Sequence, residues 1–399
     1  MTDAHGIAGD WLPDADRLTP FGKVLRSTSL DESPNREADY RLAHEPRCAV
    51  LRPEERGEWM KALEQCAQHD FYHLPEYHRM EADHGGGTAR LFVYREGEHV
   101  VALPLLLRPV TDAAPEGWKD ATSVYGYGGP LASSPTMPAT VLDHFHNALR
   151  QSLAEQRVVS VFSRLHPLLA PAGLLDGLGE CRSHGQTVSI DLTLPAEQQR
   201  AAYRSSYRRR INKLQRAGVV CVCDEDQRHL AEFASIYHET MRRVNAHHSY
   251  LFDPDYFTAL ADGLGSKLQL FVVMAEGRVA AGGLFTICGG IAQYHLGGTR
   301  DAFLSLSPTG LIFDTVRQWA AEHGARVLHL GGGVGSKDDS LFHFKAGFSD
   351  CRHAFHTWRW VIDPGAYREL CDERLHFNRL YGLEPESADF FPAYRCPAT

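Results

Sequence analysis

Four segments of the chain carry side chains whose types and spacing could do chemistry. The first is Glu197–Ala217, where Arg200, Arg204, Arg208, Arg209, Arg210, Lys213 and Arg216 share a helix-length stretch with one acid, Glu197. Like charges four residues apart on a helix repel by about 0.2–0.5 kcal/mol per pair. A stretch that keeps Arg200, Arg204 and Arg208 at that spacing without interleaved Glu points to an anionic partner, phosphate above all. A plain solvated face in an arginine-rich chain is the competing reading. The second is Leu330–Gly335 (LGGGVG), whose backbone N–H groups can cradle an anion. It lacks the GxxxxGK[ST] and GxGxxG spacings, so it is neither a P-loop nor a dinucleotide fingerprint. A turn needing close backbone approach explains it equally well. The third is Phe342–Phe348 (FHFKAGF), which sets Lys345, one of only seven lysines against 34 arginines, between aromatic residues. Such a fixed cation can stabilise a developing oxyanion. A surface lysine lying along core rings is the alternative. The fourth is Asp120–Pro130 (DATSVYGYGGP), where Tyr125 and Tyr127 offer two phenols from a glycine-rich loop.

Other chemistries lack their residues. There is no GxSxG elbow, and no carboxylate pair is spaced for hydrolysis. The 22 His include no HExxH, and the nine Cys are scattered without a CxxC pair. Reduced thiols and no metal are therefore expected. Two His and Glu candidates for a general base, His295 and Glu239, read as structural.

The elements that must position these segments follow from the apolar pattern. Residues 1–46 are polar and read as a flexible tail. A first domain, 47–186, holds a helix at Pro53–Gln68 and a strand pair at Leu91–Tyr94 and Val100–Leu107. It continues with a helix at Met137–Glu155 and a buried strand at Val158–Ser163. A second domain, 187–365, opens with the alternating strand Thr187–Thr193. The helix Glu197–Ala217 carries one apolar stripe, Tyr203, Tyr207, Ile211 and Leu214. Strand Val219–Cys223, helices Gln227–Val244 and Pro254–Leu264, and strands Leu268–Ala275, Val279–Cys288 and Ile291–Gly297 come next. Helix Pro308–His323, strand Val327–Leu330, short helix Asp339–Ala346 and strand His356–Ile362 complete it. Residues 366–399 form a C-terminal extension. A hairpin run followed by helical crossovers predicts mixed sheets flanked by helices, an α/β (α+β) class.

The net charge of −9 argues at first against nucleic acid, DNA included. Its distribution changes that reading, because the basic stretch holds +6 and the remainder −15. No run of about 18 apolar residues exists, so no membrane span is expected. The N-terminus reads without a signal peptide, and a cytoplasmic location follows as the expectation.

The second-half order β-α-α-β-β-β-α-β-α-β resembles the GNAT acyltransferase fold. The markers along it are similar to the FemAB/FemX-like branch, the peptidoglycan interpeptide-bridge type. They are Arg208–Lys213 with Gly218, then Phe233, Tyr237, Glu239 and Thr240, Ala280–Gly283 and Tyr294. Ser307-Pro308 with Leu311, Leu330–Gly333, and Ser340-Leu341 leading to Phe344-Lys345-x-Gly347-Phe348 follow. In the first half, His73–Tyr77 and Ser123–Pro130 also resemble it, so the likeness runs over about 47–365. It implies two tandem GNAT-like domains, without the long helical-hairpin insertion of FemA-type members. It also implies a charged tRNA as co-substrate rather than a bound cofactor, and an amine of a small acceptor, such as a natural-product intermediate or a peptidoglycan precursor. The Lys of the FKxGF-type motif, linked in that family to transition-state stabilisation, matches Lys345. Arg208, Arg209, Lys213, Tyr294, Ser307, Phe344, Tyr125 and Tyr127 are the expected substrate contacts. The loop Gly297–Gly310 lacks the [RQ]xxGx[GA] pattern by which ordinary GNAT enzymes take acyl-CoA. An acyl-CoA N-acyltransferase stays as one alternative, and a non-catalytic RNA- or phosphate-binding protein as another.

Overall fold

The computed structural model describes residues 46–110, 117–171 and 173–398. Residues 1–45 of the expected tail lie outside the described residues. In the first half, β1 (Arg47–Leu51), helices α1 (Arg56–Glu64) and α2 (Pro75–Gly85), and strands β2 (Thr88–Glu96), β3 (His99–Pro109), β4 (Lys119–Thr122) and β5 (Leu131–Ala132) precede α3 (Ala139–Glu155) and β6 (Val158–Arg164). Strand β7 (Glu180–Asp191) leads to helices α4 (Ala196–Ala201) and α5 (Ser205–Arg216). Then come β8 (Val220–Cys223), α6 (Leu230–Arg243), α7 (Pro254–Leu264), β9 (Leu268–Ala275), β10 (Arg278–Cys288), β11 (Ile291–Thr299) and α8 (Thr309–Glu322). Strand β12 (Val327–Gly331), α9 (Ser340–Lys345), β13 (Cys351–Val361) and α10 (Pro364–Tyr381) finish the order.

One mixed sheet runs β1-β2-β3-β4-β6-β13-β7-β12-β11-β10-β9-β8, with β5 beside β3. The hairpins β2–β3, β9–β10 and β10–β11 are antiparallel. Tight turns with Gly97, Gly277, Gly289 and Gly290 at positive φ close them. The centre is held by β13, which pairs with β6 on one side and β7 on the other. A chain segment far along in sequence thus joins the two halves.

Four apolar clusters form among the described residues, three of them large. One packs Phe145, Leu149 and Leu153 of α3 against β2, β3 and β6 and takes in Trp358 and Trp360 of β13. A second packs Ile211 and Leu214 of α5 and Leu311–Phe313 of α8 against the second-half strands. The third takes Trp59 and Tyr77 from the first half together with Phe233, Tyr237 and Tyr256 from the second. Helices α2 and α7 meet there directly. Between α6 and α7 lies only a ten-residue link, 244–253.

The expected single helix Glu197–Ala217 is broken. Residues 202–204 leave the helix, and Arg204 stands at φ −51°, ψ 136°. A tertiary bond causes the break: Arg204 N–H donates to the Gly347 carbonyl at 2.8 Å. Tyr203, expected on the same stripe, instead sits at the corner and packs edge-on to Phe348 with centroids 5.0 Å apart. Strands β7 and β13 also begin several residues earlier than the apolar alternation predicts. Their early portions are polar and half-exposed, and their mutual pairing holds them.

Candidate functional site

The site begins where two parallel strands part. β11 and β12 pair only over Ile291–Gln293 and Val327–His329. Beyond these residues β11 continues to Thr299, whereas β12 stops at Gly331. Crevices beyond the carboxyl ends of parallel strands are where α/β folds take ligands. Tyr294 follows the last paired residue of β11, and the glycine loop follows β12.

The loop is shaped by what surrounds it. Gly331 has φ +75°, a left-handed conformation that favours glycine. A Cβ there would lie 3.2 Å from the Tyr127 hydroxyl and 3.3 Å from Lys345 Nζ. Burial pushes the Tyr127 phenol up to about 12, with the Gly332 backbone pulling the other way. Lys345 Nζ donates to the Gly332 carbonyl at 2.7 Å. Asp339 organises the rest. Its carboxylate caps α9 through Phe342 N–H and also receives Val334 N–H, each at 2.8 Å. One side chain therefore fixes both the loop and the helix that carries Lys345.

Lys345 is 7% exposed. Loss of solvent lowers its pKa to about 7, with the Asp339 charge pulling weakly the other way. Its Nζ lies 5.5 Å from the Tyr294 ring centroid, over the ring face. Burial raises the Tyr294 phenol well above its ordinary value. Tyr294, Tyr127 and Lys345 thus meet at one place.

Other expected contacts lie further off. Tyr125 packs against Phe252, His295 and Tyr250 at 5.2, 5.6 and 6.1 Å between centroids. Its phenol and that of Tyr127 both feel the Tyr250 hydroxyl and the Arg164 guanidinium. A tyrosine-lined wall therefore leads away from Lys345. Phe344 turns into the core against Phe313, Phe348 and Tyr207. Ser307, at φ +49°, receives Arg210 at 2.5 Å. Arg208 donates to the Ala201 carbonyl at 2.9 Å and closes the helix break. Arg200 is committed as well, with its Nε 3.5 Å from the buried Asp314 carboxylate. Arg209 and Lys213 are exposed. Of the base candidates, Glu239 accepts the Asp301 N–H. His295 has neither ring nitrogen bonded, and burial lowers its pKa to about 3.

Three residues of this neighbourhood escape the sequence reading: Asp339, Gln293 and His329. Asp339 carries a visible signal, an Asp before a short apolar helix in N-cap position. Gln293 and His329 carry none, because each lies inside a strand that reads as core.

Residues 201–345 match the acetyltransferase (GNAT) domain family, a span that starts at the basic segment and ends on Lys345. No curated protein sequence matches the chain. The structure is similar to the crystal structure of FemX, at 13% identity, covering 81% of this chain and 99% of that one, with a TM-score of 0.63. It also matches the C-terminal domain of a putative lysylphosphatidylglycerol synthetase from Agrobacterium fabrum, at 14% identity, 81% and 97% coverage and a TM-score of 0.47. A tandem GNAT protein from the clavulanic acid biosynthesis pathway matches at 13% identity, 79% and 98% coverage and a TM-score of 0.44. The chain therefore has the FemX-like GNAT fold, with its GNAT domain match running from the basic segment to the buried lysine.

Proposed function

We propose that the protein is an aminoacyltransferase that moves an amino acid from an aminoacyl-tRNA to an amine of a small acceptor, forming an amide. The observation that carries this reading is the buried Lys345 cation at the parting of β11 and β12, beside two phenols and a glycine loop. Attack of an amine on an ester carbonyl builds negative charge on the carbonyl oxygen. Lys345 Nζ, held by the Gly332 carbonyl in a site shielded from water, can donate to that oxygen with little reorganisation during the reaction. The motif resemblance to FemAB/FemX-like aminoacyltransferases supports a tRNA donor. So does the use of Arg300, the one basic residue within the loop Gly297–Gly310 where acyl-CoA pyrophosphate would be expected. It donates to Glu232 at 2.6 Å and to the Val279 carbonyl at 3.0 Å, so its guanidinium is committed within the fold.

An acyl-CoA donor is the second reading, favoured by the acetyltransferase family match over 201–345. Incubation with radiolabelled charged tRNAs and a panel of amines separates the two. Label is expected in an amide product, lost when the tRNA is digested beforehand. Thermal stabilisation by acetyl-CoA but not by charged tRNA would reverse the assignment.

A further inference from the structure

The buried His329 bonds through one ring nitrogen and leaves the other without a partner, as His73 and His78 also do. The Gln293 amide nitrogen donates to the Tyr294 carbonyl at 3.2 Å, which turns its oxygen toward β12. That oxygen lies 2.8 Å from His329 Nδ1. An amide oxygen only accepts, so Nδ1 carries the proton. Nε2 is then a bare lone pair, and it is buried with no partner. Orphaned buried nitrogens of this kind are costly and call for a reason.

Position supplies one. A β-bulge in β12 separates His329 from Gly331, so contacts rather than strand alternation relate the two. The Tyr127 hydroxyl and Lys345 Nζ both lie beside Gly331. The His329 and Tyr127 rings meet edge to face, with centroids 5.2 Å apart. Lys345 is close enough to act electrostatically on the imidazole. Burial is the main influence and keeps the ring neutral. The nearby His166 differs, because Asp70 and Leu168 N–H use both its nitrogens.

We propose that His329 is a further catalytic residue, whose Nε2 carries the proton of the acceptor amine during acyl transfer. This rests on the acyltransfer reading above. As the amine nitrogen bonds to the ester carbonyl carbon, it becomes strongly acidic, and Nε2 takes one of its protons. As the carbon–oxygen bond breaks, the same proton passes to the departing ribose oxygen. The products are an amide and a free tRNA 3′ end, and the imidazole returns to its starting state. Gln293 is a positioning residue that fixes the tautomer.

The test is His329→Asn, because the Asn amide can still donate to Gln293 while Nε2 is removed. With charged tRNA and a panel of ethanolamine, glycinamide and lysine, kcat is expected to fall about 100-fold or more. The KM for charged tRNA stays within about twofold. Gln293→Met leaves Nε2 in place but frees the tautomer, so a smaller loss in kcat is expected, again without a KM change. Nitrogen-15 NMR of the histidine-labelled wild-type protein adds a measurement free of folding effects, and should show one buried ring protonated only at Nδ1. A His329→Asn kcat within twofold of wild type, or a ring protonated at Nε2, overturns the proposal. The same comparison is run with acetyl-CoA. Transfer from acetyl-CoA alone would sink the tRNA donor yet leave His329 testable. Transfer from neither donor would remove both readings.

Discussion

Lys345 and the basic helix α5 are both cationic, and they are built in opposite ways. Lys345 is buried, held by one carbonyl and one distant carboxylate, and loses solvent to the point where its pKa falls to about 7. The cations of α5 lie at the surface or lean on backbone and neutral groups. Arg208 takes Ala201, Arg210 takes Ser307 and Arg216 takes the Asn212 carbonyl. A buried charge acts strongly at short range. An exposed one is screened within about 8 Å at physiological salt and acts mainly on approach. The two are nevertheless joined. Arg204 N–H bonds to Gly347, two residues after Lys345, and Tyr207 covers the same glycine. One region suits chemistry and the other capture, and a shared corner sets their spacing.

The largest expected effect separates the two roles. Lys345→Met should lower single-turnover transfer by about 10²–10³, the usual loss for one oxyanion donor, while binding of charged tRNA changes less than threefold. A near-normal rate would remove Lys345 from the chemistry.

The same substitution should stabilise the fold. The folded-state pKa of Lys345, about 7, lies below the ordinary lysine value of 10.5. Between these two values the unfolded chain binds more protons than the native one, so this group makes stability rise with pH there, by up to about 1.4 kcal/mol per pH unit. Below pH 7 both states are charged and the full burial penalty applies. Lys345→Met removes that penalty. Its melting temperature should exceed wild type at pH 6, and the gap should close toward pH 10. A constant gap across that range would mean that Lys345 is not desolvated as the structure has it.

Gly347 tests the corner itself. A Cβ there would come 2.2 Å from the Tyr207 ring. Gly347→Ala should cost about 1–3 kcal/mol, as overpacking does. It should also reduce transfer and tRNA binding together, since both regions hang on this contact. Loss of only one would show that they are independent.

The sequence made much of this legible, and the misses share a cause. The hairpins of the second half and helix Pro254–Leu264 follow from apolar alternation and glycine turns, and local rules are enough for them. Lys345 and Tyr294 stand out by residue type, and the structure brings them within 5.5 Å. The break before α5 has no local signature, because Ala-Tyr-Arg-Ser contains neither Pro nor Gly and the deciding bond comes from Gly347. The pairing of Arg200 with Asp314 is hidden for the same reason, its partner being 114 residues away and buried. His329 reads as an ordinary strand residue until Gln293, 36 residues earlier, defines its tautomer.

The smallest effect concerns the outer face of α5, and it sharpens the comparison most. Counting charges along the sequence makes all seven basic residues equal candidates for phosphate. The structure ranks them. Arg200, Arg208 and Arg210 are engaged within the fold, whereas Arg209 and Lys213 are exposed on α5. Replacing these two with Gln should change stability by less than about 0.5 kcal/mol. If both touch phosphate, the slope of log binding constant against log salt should fall by about 1.4–1.8, since each contact releases most of one counterion. The rate from bound tRNA should not move, because both side chains are exposed on α5 whereas Lys345 is buried. An unchanged slope with Arg209→Gln/Lys213→Gln would reduce the outer face of α5 to a solvated surface and leave the role of Lys345 untouched.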